Sequence, residues 1–411
     1  MKINKHCFPN GLRLVHYEDT STQMVALNIV YDVGARDEHP EHTGFAHLFE
    51  HLMFGGSAHI PDYDTPLQLA GGENNAWTNN DITNYYLTVP KPNVETAFWL
   101  ESDRMLELAF SEQSLEVQRG VVMEEFKQRC LNQPYGDVGH LFRPLAFRVH
   151  PYRWPTIGKE LSHIEQATLD EVKSFFYRFY APNNAVLAVT GNISWDETVK
   201  LTEKWFAPIP RRDVPVRQLP QEPEQTQERR LTVERNVPLD ALFMGYHMCS
   251  REGADYYAFD ILSDILSNGR SSRLNRRLVQ EQNIFSGIDA YISGTRDAGL
   301  LQISGKPAAG VSLEQAEAAV RKELEELQQS PVDGQELEKV KNKFESTQIF
   351  GNINYLNVAT NLAWFELTGK AEDIDLEVER YRSVTTEQLH TVAQRTFCES
   401  NAVVLYYKSD K

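Results

Sequence analysis

The sequence predicts an α+β protein built from two duplicated αβ domains. Its 411 residues are more than one hydrophobic core usually supports. Its halves align without a gap over TLDEVKSFFYRFYAPNNAVLAV, from Thr168, and TTEQLHTVAQRTFCESNAVVLYY, from Thr385, an offset of 217 residues. Between the halves lies PIPRRDVPVRQLPQEPEQTQERR, too rich in proline and charge to pack a core.

The elements follow in order. A strand over residues 25–31 leads to a helix between Gly44 and Gly56, and the second half repeats this with a strand over 241–246 and a helix from Tyr256 to Gly269. Each aligned block then reads as a helix opened by a threonine cap, a short turn and a β-branched strand. Thr168 matches Thr385, Val172 matches Leu389, Arg178 matches Arg395, Tyr180 matches Phe397, and Asn184-Ala185-Val186 matches Asn401-Ala402-Val403. The expected divisions are residues 1–208, a linker at 209–230 containing Pro210, Pro215, Pro220 and Pro223, and residues 231–411.

Composition excludes several functions. With 41% hydrophobic and 24% charged residues, the chain has the make-up of an ordinary globular protein. A net charge of −17 argues against a nucleic-acid partner and against anionic membrane. No apolar run is long enough to span a bilayer. Cys7, Cys130, Cys249 and Cys398 have neither metal-ligand spacing nor the density of a disulfide framework, so a reducing compartment is expected. MKINKHCFPNGLRLVHY shows no export or transit signal, so the bacterial cytoplasm is expected, and the periplasm only if an export signal has been trimmed.

The most informative stretch is GFAHLFEHLMFGGS, which contains His-x-x-Glu-His at residues 47–51. Histidines four residues apart stack on one helical face, where both imidazoles reach one metal ion. Glu50 falls about 60° around the helix from His47, so its carboxylate can approach a water at that metal. The pattern is the reverse of the commoner His-Glu-x-x-His signature and is the inverzincin motif. The duplication supplies a control. A shift of 214 residues sets His47 on Ile261, Glu50 on Asp264 and His51 on Ile265. A helix with a purely structural role accepts isoleucine there, which favours a functional reading of the imidazoles.

A catalytic zinc usually takes three protein ligands and leaves one position for water. The third is sought in SLEVQRGVVMEEFKQRC, residues 114–130, where Leu115, Val122 and Phe126 share a buried helical face. Taking Val122 as zero, Glu125 falls about 60° to one side, Gln118 about 40° to the same side, and Glu124 at roughly 200°, toward solvent. Glu125 is therefore the inward carboxylate, with Gln118 two turns below it.

These residues resemble the pitrilysin family of zinc peptidases, in particular the branch of mitochondrial processing peptidase and its bacterial relatives. The family follows His-x-x-Glu-His with a ligand glutamate in a VVxEE-like segment. GVVMEEF, 75 residues on from Glu50, puts Glu125 there. The resemblance covers nearly the whole chain. It implies two αβ domains, each a mixed, mainly antiparallel sheet flanked by helices, together forming half of a clamshell. It also implies one zinc ion per chain and a dimer enclosing a chamber. Asn75-Ala76-Trp77-Thr78 resembles the family's substrate-binding edge strand, and an open sheet edge beside a metal can add a peptide as an extra strand.

Two departures from the family matter. Its usual glutamate seven residues before the ligand is Gln118 here, which keeps the inward position beside the ligands but loses the charge. Its C-terminal Arg and Tyr, aligned through Ser272-Arg273-Leu274, fall on Val279 and Ser286. Arg276 and Arg277 lie close by. The expectation is a zinc metalloendopeptidase with ligands His47, His51 and Glu125 and Glu50 as general base. It would be the zinc-bearing subunit of a heterodimer whose homologous partner supplies an Arg/Tyr pair, or else a homodimer. The alternatives are a non-catalytic scaffold and a peptide-binding subunit of the same fold.

Overall fold

The computed structural model describes residues 1–410. Its strands are β1 (Asn4–Cys7), β2 (Arg13–Glu18), β3 (Met24–Tyr31), β4 (Glu73–Thr78), β5 (Thr83–Pro90), β6 (Ala185–Gly191), β7 (Arg229–Arg235), β8 (Ala241–His247), β9 (Phe285–Ile292), β10 (Leu300–Pro307) and β11 (Ala402–Ser409). The helices used below are α1 (Phe45–Leu52), α2 (Val94–Leu106), α3 (Glu112–Phe126), α4 (Val138–Ala146), α5 (Leu169–Phe179), α6 (Tyr256–Ser267), α7 (Tyr355–Thr368) and α8 (Thr386–Thr396).

The first sheet has the order β1-β2-β6-β3-β5-β4 and the second β7-β11-β8-β10-β9. Each is antiparallel except for one parallel pair, β2 with β6 and β7 with β11. The 217-residue offset carries the first residues of β3, β5 and β6 onto those of β8, β10 and β11. The repeat extends to caps. The Thr168 hydroxyl accepts the Glu171 N–H while the Glu171 carboxylate accepts the Thr168 N–H, and Thr385 and Gln388 make the same box. Asn184 Nδ2 donates to Phe179 O and Asp32 O, and Asn401 Nδ2 to Thr396 O and His247 O. In both copies this amide ties the helix end to the end of a strand, which accounts for an asparagine at both positions.

Side chains alternate along β3: Val25, Leu27, Ile29 and Tyr31 enter the core under α1, α2 and α5, and Ala26 and Val30 face the other way. That second face is covered by α7, through Val358, Ala359, Leu362, Ala363 and Leu367. The second sheet is covered in the same manner by α4, where Phe142 and Ala146 meet Ala241, Leu300, Val403 and Leu405. The offset that relates the repeats carries Val138, the first residue of α4, onto Tyr355, the first of α7. Each half of the sequence thus gives its equivalent helix to the other half's sheet.

The compact units therefore differ from the consecutive divisions of the sequence. One comprises 1–129, 154–220 and 349–376; the other comprises 130–153, 221–348 and 377–411. The physical reason is the need of each sheet for cover on both faces. The proline-rich segment carries no helix or strand over residues 210–226, and it is tied down locally. Arg212 donates to Tyr180 O and Leu106 O, and Arg217 pairs with Asp32 and Asp37. No helix among the described residues is long and apolar enough to cross a membrane.

Candidate functional site

Helix α1 is anchored by Phe45, Leu48, Phe49 and Leu52, all buried in the first unit's core. Its first turn is fixed by Glu38, whose carboxylate accepts the N–H groups of Gly44 (3.0 Å) and Ala46 (2.8 Å). The carboxyl oxygens here satisfy donors that a helix start leaves open. Gly44 has φ +86, and a Cβ there would meet Ile164 Cδ1 at 2.7 Å, so the chain enters the helix through a position only glycine fits. Burial pushes the Glu38 carboxyl up to about 8.

His47 and His51 stack one turn apart on this helix with their Nε2 atoms 3.3 Å from each other. Helix α3, capped by Ser111, brings Glu125 to them: its Oε2 lies 3.5 Å from His47 Nε2 and 3.3 Å from His51 Nε2. This is the one group of His, Cys, Asp or Glu among the described residues whose donor atoms converge in this way. Donors around a tetrahedral ion with bonds of about 2.0–2.1 Å stand about 3.3–3.4 Å apart. The triangle matches that spacing, and two imidazole nitrogens with one carboxylate oxygen are donors that zinc accepts. Burial pushes the His47 imidazole down to about 4, which leaves it neutral and able to ligate at neutral pH. The hydrogen bond from His51 holds the Glu125 carboxyl below its ordinary value, with the guanidinium of Arg129 acting in the same direction.

Glu50 projects beside the triangle from the same helix. Burial raises its carboxyl above the ordinary value, opposed by a hydrogen bond from Thr78 Oγ1 to Oε2 at 2.6 Å. Thr78 ends β4, the outer strand of the first sheet, which pairs with β5 alone. Asn75, Ala76 and Trp77 lie on the same edge, with Trp77 36% exposed. The Ala76 N–H donates to the Asn75 side chain (2.8 Å), so a peptide that paired with this amide would displace that bond.

Gln118 is half-buried on the Glu125 side of α3, without a hydrogen-bond partner among the described residues. In the second unit, Val279 packs against the core, and the Ser286 hydroxyl donates to Lys306 O. Arg277 is engaged by Glu323 and Glu326, and Arg276 faces Glu281 at 3.7 Å. Sequence reasoning missed three contacts: Glu38 at the head of α1, Arg129 on Glu125, and the bond from Thr78 to Glu50. Only Arg129 carried a local signal, its spacing of four residues from Glu125 on one helix.

Comparison with known proteins identifies the family. The family described as Insulinase (Peptidase family M16) matches residues 13–137, and that described as Peptidase M16 inactive domain matches residues 166–344. Zinc protease PqqE of Helicobacter pylori is 26% identical over 405 residues, 97% of this chain and 91% of that protein. The crystal structure of a protease from Helicobacter pylori superposes with a TM-score of 0.94 at 26% identity over 99% of each chain. The periplasmic protease PqqL from Escherichia coli shares the fold, with a TM-score of 0.81 at 19% identity over 99% of this chain and 47% of its own. With an M16 domain in each half, and relatives named zinc proteases that match nearly end to end, the chain belongs to the M16, or pitrilysin, family of peptidases.

Proposed function

We propose that this chain is a zinc-dependent metalloendopeptidase acting on peptides or unfolded polypeptides. The observation that carries the reading is the donor triangle of His47, His51 and Glu125 with Glu50 beside it. Those three residues would hold the ion, one per chain. Zinc, when bound, polarises a scissile carbonyl and makes water more acidic. Glu50 takes a proton from the attacking water and delivers it to the leaving amine. Thr78 occupies Oε2, so Oε1 is the atom that carries this proton. Partial burial keeps the carboxyl basic enough for the task. Asn75, Ala76, Trp77 and Thr78 hold the substrate as an added strand, with the Ala76 amide pairing to its backbone. Gln118 keeps a neutral polar group on the ligand-bearing side of α3.

The same reading makes this chain the zinc-bearing subunit of a heterodimer. Val279 packs against the core, the Ser286 hydroxyl and Arg277 are engaged within their own unit, and Arg276 faces Glu281 at the surface, which is why the reading has a homologous partner supply the donors for a substrate carbonyl. PqqL, of which this chain covers 47%, is a single chain with room for two such halves. All four cysteines are free thiols, which suits the bacterial cytoplasm as the compartment. The test is a mass-resolved digest of a mixed peptide library by the purified chain, with and without a homologous subunit, alongside metal analysis. Cleavage that needs both the bound zinc and the partner supports the reading. Full activity of the chain alone argues for a homodimer, and bound metal without cleavage in either setting argues for a peptide-binding subunit.

A further inference from the structure

Arg129 stands one turn beyond Glu125, where α3 widens into a π turn over Lys127–Leu131. Departures of this kind from α-helical spacing are frequent at functional sites. The guanidinium Nη2 lies 2.8 Å from Glu125 Oε1, while Oε2 of the same carboxylate faces the two imidazoles at 3.5 and 3.3 Å. One oxygen is thus held by a cation, and the other is turned to the site. The Arg129 side chain is 68% exposed, and an exposed ion pair contributes little to folding. The pairing therefore has little structural purpose of its own.

A carboxylate can give a metal one oxygen or chelate it with both. A guanidinium occupying Oε1 competes for that oxygen and leaves Oε2 as the donor. We propose that Arg129 is a positioning residue that fixes Glu125 as a one-oxygen ligand, so that three protein donors and one open position make up a four-coordinate site. This rests on the metal centre proposed above. Without Arg129, Glu125 is free to rotate and chelate, which raises the coordination number and crowds the open position.

The test loads the full-length chain with cobalt(II), whose visible absorption is several-fold stronger in four-coordinate than in five- or six-coordinate sites. The wild type should show the strong bands, Arg129→Met should show bands several-fold weaker at equal cobalt content, and Arg129→Lys should recover most of the intensity. Unfolding midpoints in urea should be the same for all three, which separates positioning from a structural role. Equal band intensity in the wild type and Arg129→Met, with cobalt bound by both, overturns the assignment of Arg129 alone. Failure of the wild type to bind cobalt or zinc overturns the metal centre and this inference with it.

Discussion

Thr78 Oγ1 donates to Glu50 Oε2 at 2.6 Å, linking the last residue of an open sheet edge to the carboxylate between two stacked histidines. The group that would hold substrate and the group that would move the proton are thereby coupled. Thr78→Val removes the donor and keeps the shape. Loss of one hydrogen bond to a charged group is worth about 1.5–3 kcal/mol, so kcat should fall roughly ten- to hundredfold. Zinc content, read by elemental analysis, should not change. Unaltered turnover would show that the bond does not steer Glu50.

Glu50→Gln tests the base itself. The amide is nearly isosteric but does not accept the proton, and general-base catalysis contributes typically about 10²–10⁴-fold. Peptide cleavage should fall by at least that much while zinc binding persists. Normal turnover by this variant would require another base.

Metal removal tests the donor triangle. Zinc at about 100 times its Kd should stabilise the fold by about 2.7 kcal/mol, which for a unit of roughly 200 residues raises Tm by on the order of 5 °C. A chelator should reverse the shift, and His51→Ala should abolish it. A shift that survives in His51→Ala would place the ion elsewhere.

Glu38 gives stability a pH dependence. Its carboxyl is pushed up to about 8 by burial from an ordinary value of 4.5, so the folded state holds the proton more tightly than the unfolded chain. Its contribution is fully present below about 4.5 and is lost as pH rises through about 8, at up to about 1.4 kcal/mol per pH unit. Glu38→Gln lacks this slope. Urea midpoints at pH 5, 6.5 and 8 should therefore fall more steeply for the wild type than for the variant. Parallel curves would mean that the N–H groups of Gly44 and Ala46 keep Glu38 ionised throughout.

What the sequence made legible was local. Four-residue spacing placed His47 over His51, helical geometry chose Glu125 over Glu124, and the caps at Thr168 and Thr385 stand where the repeat predicted them. The duplication of an αβ unit was likewise readable, because strand patterns and aligned caps are properties of neighbouring residues, whereas the sheets were implied by the family resemblance. What stayed hidden depends on contacts between distant segments. The bond from Thr78 to Glu50 spans 28 residues and needs the sheet edge to lie beside α1. Glu38 caps a helix through a loop that periodicity does not describe. The apolar faces of α4 and α7 announce that each must be buried, yet nothing in their own sequence names the sheet that receives them.

The reciprocal placement of α4 and α7 bears on how the chain can be made. Synthesis from the N-terminus completes β1 through β6 long before Tyr355–Thr368 leaves the ribosome. Until then Val15, Ala26, Val30, Val186 and Ala188 have no α7 to cover them. The sheet whose edge carries Thr78 is thus finished by a helix that follows β6 only after the whole second sheet has begun to emerge, and until then the nascent protein carries an apolar sheet face that only later residues can close.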